Sequence, residues 1–433
     1  MIDFIKTENK VVGETVYTGV HESGLNVAVI KKKGFFKGYA SFSTRYGSIN
    51  TEFIPPSSDK AVKVIDGIAH FLEHKVFEQP DGSNAFADFS KYGANANAFT
   101  SFGVTNYLFS CTDHFYDNLE ILLDFVQKPY FTEENVEKEK GIIAQEIRMY
   151  ADDADQTCFY NCLKAMYVNH PVRKEIAGSV EEIMKTTPKL LYDCYNTFYN
   201  PANMALVCVG DIDEKKISEL VDKFIKTDNK RGEIVQIFSE EPDQVAKKYI
   251  EAEFDIPIPM FMLGFKDKSL NLSGREMLKR DILTTAALKT LFGKSSEFYR
   301  NLYDKGIINK SFSYFYEYDT SYAYAAFSGE SENPRKIEAE IYKTVEKALE
   351  ERIDEKAFER AKKVMYGSNL ALYDHISDIG DEYMYAYHKG IDLLDYPEIC
   401  MNITADEAKE RIKELFDREH GSLSVVLPKK NNE

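Results

Sequence analysis

The sequence has no tryptophan, only six cysteines and no surplus of positive charge. Cys111, Cys158, Cys162, Cys194, Cys208 and Cys400 are scattered, mostly inside apolar segments. Cys158 and Cys162 stand four apart in TCFYNC, but no second pair or nearby histidine completes a metal set. This is not a disulfide framework, and it predicts six buried thiols in a reducing compartment, the cytoplasm. Lysine and arginine total 54 against 71 aspartates and glutamates, a formal net charge of −17. That balance argues against nucleic acid, whose phosphates need a basic surface. It could favour basic substrates through field effects, although a solubility charge is the plainer reading. No apolar run is long enough to span a bilayer, and the opening MIDFIKTENKVVGE has neither a signal-peptide nor a transit pattern. No membrane role is expected.

What is present centres on Gly67–Glu78, GIAHFLEHKVFE, which contains the string H-x-x-E-H. Asp66 is a plausible N-cap, and Ile68, Phe71, Leu72 and Val76 supply the apolar positions of a helix. Residues three and four apart share a helix face, so His70, Glu73 and His74 project together. Two imidazoles at that spacing can bind one tetrahedral Zn²⁺, and the carboxylate between them can reach a metal-bound water. Without a metal, the same residues would be two satisfied core histidines and a chance glutamate. Burying them in an apolar stretch is costly without partners, and a metal would supply one.

A zinc site needs a third protein ligand, for which a carboxylate is a normal choice. The helix expected over about Glu133–Tyr150, capped by Thr132, turns Val136, Ile142, Ile143 and Ile147 inward. Its Glu139 and Glu146 are seven residues, two helical turns, apart and share a face. Either could serve, and either could equally belong to a solvated helix face.

At 433 residues the chain should form two or three domains. Thr15–Val29 and Gly38–Phe53 read as paired strands, and Ala96–Thr112 as a hairpin about Phe102-Gly103. The polar stretch Thr227–Lys247 is the best linker, although Ile234–Phe238 could pair. The second half repeats the first in outline. Thr404–Phe416 and the strand Ser422–Leu427 can be laid on Thr187–Tyr199 and the strand Met204–Gly210. Asp354–Met365 can be laid on Thr132–Ile143. The helix Glu276–Phe292 occupies the place of the motif helix but contains no histidine, and Ala361 and Ser368 stand where Glu139 and Glu146 would be. The expected domains are 1–228 with the zinc motif, a linker over 229–247, and a homologous 248–433 without it.

These motifs resemble the pitrilysin/insulinase family of zinc metallopeptidases, the inverzincins, along the whole chain. The resemblance implies an α+β fold. Two homologous α/β-roll domains, each a mixed and largely antiparallel sheet with helices on one face, would form half of a bowl or clamshell. It also implies that His70, His74 and Glu146 bind one Zn²⁺ per chain, with Glu73 as general base and Glu139 supporting the site. Asn97, Ala98, Phe99 and Thr100 look like the family's edge strand, where an extended substrate peptide adds as a further strand. One stretch departs from the pattern. Where full-length members carry an Arg and, seven residues on, a Tyr that hold substrate, this chain has Tyr303 and Asn309-Lys310. The likeness, including HFLEHKVFE and GIINKSFSYFYEYD, is to the zinc-bearing subunit of bacterial two-subunit members, processing-peptidase-like and named beside elongation factor P modification. It implies a zinc endopeptidase subunit for peptides or unfolded segments, heterodimeric with a homologous chain that carries the clamp, a homodimer being the other form. The other class is a non-catalytic assembly or peptide-binding protein on the same fold.

Overall fold

A computed structural model describes residues 1–56, 58–227 and 232–429. They form two compact units. The first comprises Met1–Ile147, Glu175–Ile237 and Leu370–Leu394; the second comprises Arg148–Lys174, Phe238–Asn369 and the stretch from Asp395 onward.

The first unit is built on a seven-stranded sheet. Its order is Ile5–Asn9, Glu14–Val20, Asn26–Lys31, Met204–Gly210, Gly38–Thr44, Thr105–Cys111 and Asn95–Thr100. Only Asn26–Lys31 and Met204–Gly210 run parallel. The second unit holds a five-stranded sheet in the order Tyr249–Phe254, Gly421–Pro428, Met260–Lys266, Ala323–Glu330 and Ser313–Tyr318. Here the first two strands are the parallel pair. The last five strands of one sheet thus match the five of the other in order and direction, which is the repeat expected from the sequence. In a small third sheet Val235–Gln236 pairs with Glu52–Ile54, so the segment around Ile234–Phe238 does pair. Residues 228–231 of the expected linker lie outside the described residues.

One expected strand pairing needs correction. Thr15–Val29 folds back on itself, Glu14–Val20 against Asn26–Lys31, but Gly38–Thr44 does not join it. It pairs instead, antiparallel, with Met204–Gly210 and Thr105–Cys111, the former inserted between it and Asn26–Lys31. The first sheet is packed on both faces. In the first sheet Val27, Val29, Leu206 and Cys208 pack into the main core, while Ala28, Ile30, Val207 and Val209 pack beneath the helix Ile376–His388. Central strands buried on both sides read as continuous apolar runs, as Met204–Gly210 does. The units also depart from the continuous stretches 1–228 and 248–433. Ala154–Met166 belongs to the second unit, where Gly264 admits it so closely that a Cβ would lie 2.4 Å from the Met166 sulfur. Ile376–His388 belongs to the first, where Gly380 lies against the Tyr39 ring. Helical periodicity shows that a face is apolar but not which sheet it will cover.

The motif helix runs Ile68–Val76 and buries Ile68, Phe71, Leu72 and Val76. Its cap is not Asp66. The N-cap is Gly67, left-handed at φ 86°, with no side-chain cap bond. A Cβ on Gly67 would stand 2.3 Å from the Ala177 carbonyl oxygen, and one on Gly178 would stand 2.6 Å from that of Asp66. Two glycine backbones therefore press together and set the angle at which the helix enters the core. Gly67→Ala should cost about 1–3 kcal/mol of unfolding free energy from backbone strain, with the clash added. Gly82→Ala, also at positive φ but with nothing near its Cβ, should cost less. Urea denaturation of the two variants checks the difference.

Candidate metal centre

The second contributor to the site is the helix Glu133–Ala151. Thr132 and Asn135 cap it reciprocally: Asn135 N–H donates to Thr132 Oγ1 at 3.2 Å, and Thr132 N–H donates to Asn135 Oδ1 at 2.9 Å. Val136, Ile143 and Ile147 anchor it in the core, whereas Ile142, expected inward, is 47% exposed. This phase turns Glu139 and Glu146 toward the motif helix.

The structure brings His70, His74 and Glu146 together, with one ligand atom of each within 4.8 Å of the others. His70 Nε2 is 3.7 Å from one Glu146 oxygen, and His74 Nε2 is 3.5 Å from the other. Donors around a tetrahedral zinc with bonds of ~2.0–2.1 Å stand roughly 3.3 Å apart, so the set needs little adjustment to fit the ion.

One donor, His74, has a partner that prepares it. His74 Nδ1 bonds Glu139 Oε1 at 3.0 Å, which leaves Nε2 as the lone-pair nitrogen facing Glu146. Burial alone would lower His74, but the Glu139 bond and the charges of Glu73, Glu139 and Glu146 raise it overall. Burial and the neighbouring His74 push His70 down to about 4, so its ring is neutral at pH 7. Burial acts to raise the Glu139 carboxyl; the His74 bond and the charges of His74, Lys75 and Lys138 outweigh it and hold the group low.

Glu73 lies on the same helix face but ligates nothing. Thr100 donates its hydroxyl to Glu73 Oε2 at 2.7 Å. Burial raises the Glu73 carboxyl, and the Thr100 bond moderates the rise. Thr100 ends the strand Asn95–Thr100, which closes one edge of the sheet and pairs only with Thr105–Cys111. Along it Ala96 and Ala98 pack on the core that holds the motif helix, while Phe99 packs on the opposite core. The Ala98 N–H is taken by its neighbour, the Asn97 side-chain oxygen, at 2.9 Å.

In the second unit, Tyr303 stacks on Tyr299 near the end of the helix Glu297–Asp304, with ring centroids 5.6 Å apart. Asn309 donates to Glu330 at 2.8 Å and accepts from the Ser311 N–H, which commits it to a turn. Two further partners of the site were not foreseen. Thr100 was read as part of the strand and not as a partner of Glu73. Lys75, fully buried beside Glu139, was not singled out, although a lysine in so apolar a helix was the available signal.

Comparison with known proteins shows the family. The sequence signature described as "Insulinase (Peptidase family M16)" matches residues 58–180, and that described as "Peptidase M16 inactive domain" matches residues 185–365. An uncharacterized zinc protease of Bacillus subtilis (strain 168) is 41% identical over 418 residues, 96% of this chain and 97% of its own. The chain belongs to the M16 peptidase family. An M16-like peptidase from Alicyclobacillus acidocaldarius superposes with a TM-score of 0.89 at 33% identity, covering 99% of both chains. A mitochondrial-processing peptidase β subunit of Arabidopsis thaliana is 24% identical over 210 residues, 47% of this chain and 40% of its own. The M16 signature that ends at residue 180 contains every residue of the candidate centre.

The centre predicts about one Zn²⁺ per chain, removed by chelation. His70→Ala should lose stoichiometric zinc, as measured by metal analysis of the purified protein; full retention would place the metal elsewhere.

Proposed function

We propose that this chain is the zinc-bearing subunit of an M16 endopeptidase acting on peptides or unfolded segments. The observation that carries the reading is the convergence of His70, His74 and Glu146 beside a Glu73 that stays outside the donor set. When bound, zinc supplies Lewis-acid activation of water and polarises the scissile carbonyl. The chain's own residues do the rest. His70, His74 and Glu146 hold the ion, and Glu139 keeps the His74 ring in the tautomer and orientation that ligation needs. Glu73, steered by Thr100, accepts the proton of the attacking water and passes it to the leaving amine. Its burial suits a base whose proton affinity must exceed that of an exposed carboxylate.

Substrate is received on the free edge of Asn95–Thr100. An extended peptide would take over the Ala98 N–H from Asn97, and its alternate side chains would face either the motif helix or the Phe99 side. Thr100, in that strand and bonded to Glu73, ties the substrate register to the base. Among the described residues no helix is long and apolar enough to cross a membrane.

Tyr303 and Asn309 make local contacts in place of a clamp, which supports the two-chain reading. The Arg and Tyr that hold substrate would come from a homologous partner lacking H-x-x-E-H. The same loss is what favours the second reading, a non-catalytic peptide-binding or assembly protein, and activity separates the two.

Glu73→Gln should keep zinc and fold but abolish hydrolysis of a peptide library, because the base moves protons and does not ligate. Thr100→Val should lower kcat roughly 10-fold with zinc retained, as outer partners commonly do. Wild-type turnover in the Gln variant would overturn the role of Glu73.

Peptidase activity of the chain alone, then with a co-expressed homologous partner, tests the division of labour. The isolated chain should bind zinc and cleave poorly, since positioning is a large part of lowering the barrier. Replacing the partner's Arg and Tyr should return the pair to that low level. Full activity from the isolated chain would refute the two-subunit assignment.

A further inference from the structure

Lys75 follows His74 directly, yet its side chain is fully buried, as are Phe71, Leu72 and Val76 of the same helix. One helical step carries it off the face shared by His70, Glu73 and His74. It therefore approaches Glu139 from another side. Its ammonium pairs with Glu78 and stands 3.8 Å from Glu139 Oε2, the oxygen that His74 leaves free. The two oxygens of Glu139 are thus divided between an imidazole and an ammonium group.

A buried ammonium is a poor device for stability alone. An unbranched apolar chain such as methionine would fill the same space without desolvating a charge. What an apolar chain cannot do is hold a carboxylate in a fixed rotamer by its second oxygen. Without that hold, Glu139 could swing away from His74 Nδ1 and release the ring.

We infer that Lys75 is a positioning residue for the metal centre, acting through Glu139 to fix the His74 ring. This rests on the zinc reading proposed above. Of the two carboxylates that Lys75 meets, Glu139 is the one bonded to His74, so its effect on the centre passes through Glu139.

The test is a double-mutant cycle of Lys75→Met and Glu139→Gln. It is read by zinc affinity in chelator competition and by kcat and KM of the assembled enzyme. Lys75→Met should weaken zinc binding about 10-fold or more and lower kcat with KM little changed, the size usual for outer partners of a metal ligand. In the Glu139→Gln background the same substitution should have no further effect, because the carboxylate through which it acts is gone. A merely structural lysine would lower stability equally in both backgrounds. If Lys75→Met does not fold, Lys75→Gln, which removes the charge but keeps polarity, enters the same cycle. Wild-type zinc affinity in the lysine variant, or effects that add in the double variant, would overturn the inference while leaving the zinc reading intact. A wild-type protein that binds no zinc would overturn both.

Discussion

The site depends on one carboxylate, Glu146, facing two imidazoles that a separate helix presents at i and i+4. A helix can place His70 and His74 on one face by itself, but a helix cannot bring a third donor into the space between them. That donor must come from elsewhere in the chain, and its position is only as good as the packing of both helices. Gly67 against Gly178 sets the entry of one helix, and the Thr132–Asn135 cap with buried Val136, Ile143 and Ile147 sets the phase of the other. Donor separations of 3.5 and 3.7 Å at Glu146 are the product of these contacts.

Around that core the polar groups form a sequence of dependencies. Burying His74 is tolerable because Glu139 receives its Nδ1–H; burying Glu139 is tolerable because His74 and Lys75 divide its two oxygens. Glu73 is handled differently. Its hydroxyl donor is Thr100, and burial raises its carboxyl, which suits it to take a proton. The two carboxylates flanking His74 along the chain and in space therefore have different electrostatic surroundings.

The sheet contributes by where it stops. Asn95–Thr100 is the last strand of the first sheet, and it carries on one face the alanines that pack toward the motif helix. The second unit repeats the same five-strand order, while among the described residues the candidate metal group lies in the first unit. Strand order depends on apolar alternation and not on the residues of such a site.

The sequence by itself determined the motif helix, the sharing of one face by His70, Glu73 and His74, and the edge hairpin around Phe102-Gly103. It also determined the repeat of the two halves. All of these are local, set by periods of two or 3.6 residues and by turn residues. Two glutamates, Glu139 and Glu146, were equally placed on their helix, and nothing in their spacing separated a ligand from its neighbour. Only tertiary packing put Glu146 against both Nε2 atoms and Glu139 against Nδ1. Tertiary packing also replaced the expected Asp66 cap with a left-handed Gly67, because the Ala177 carbonyl leaves no room for a side chain there. It assigned Ala154–Met166 and Ile376–His388 to sheets remote in sequence, and it turned Ile142 outward. An apolar face records that it will be buried; which surface buries it depends on shape, and shape exists only once the chain has folded.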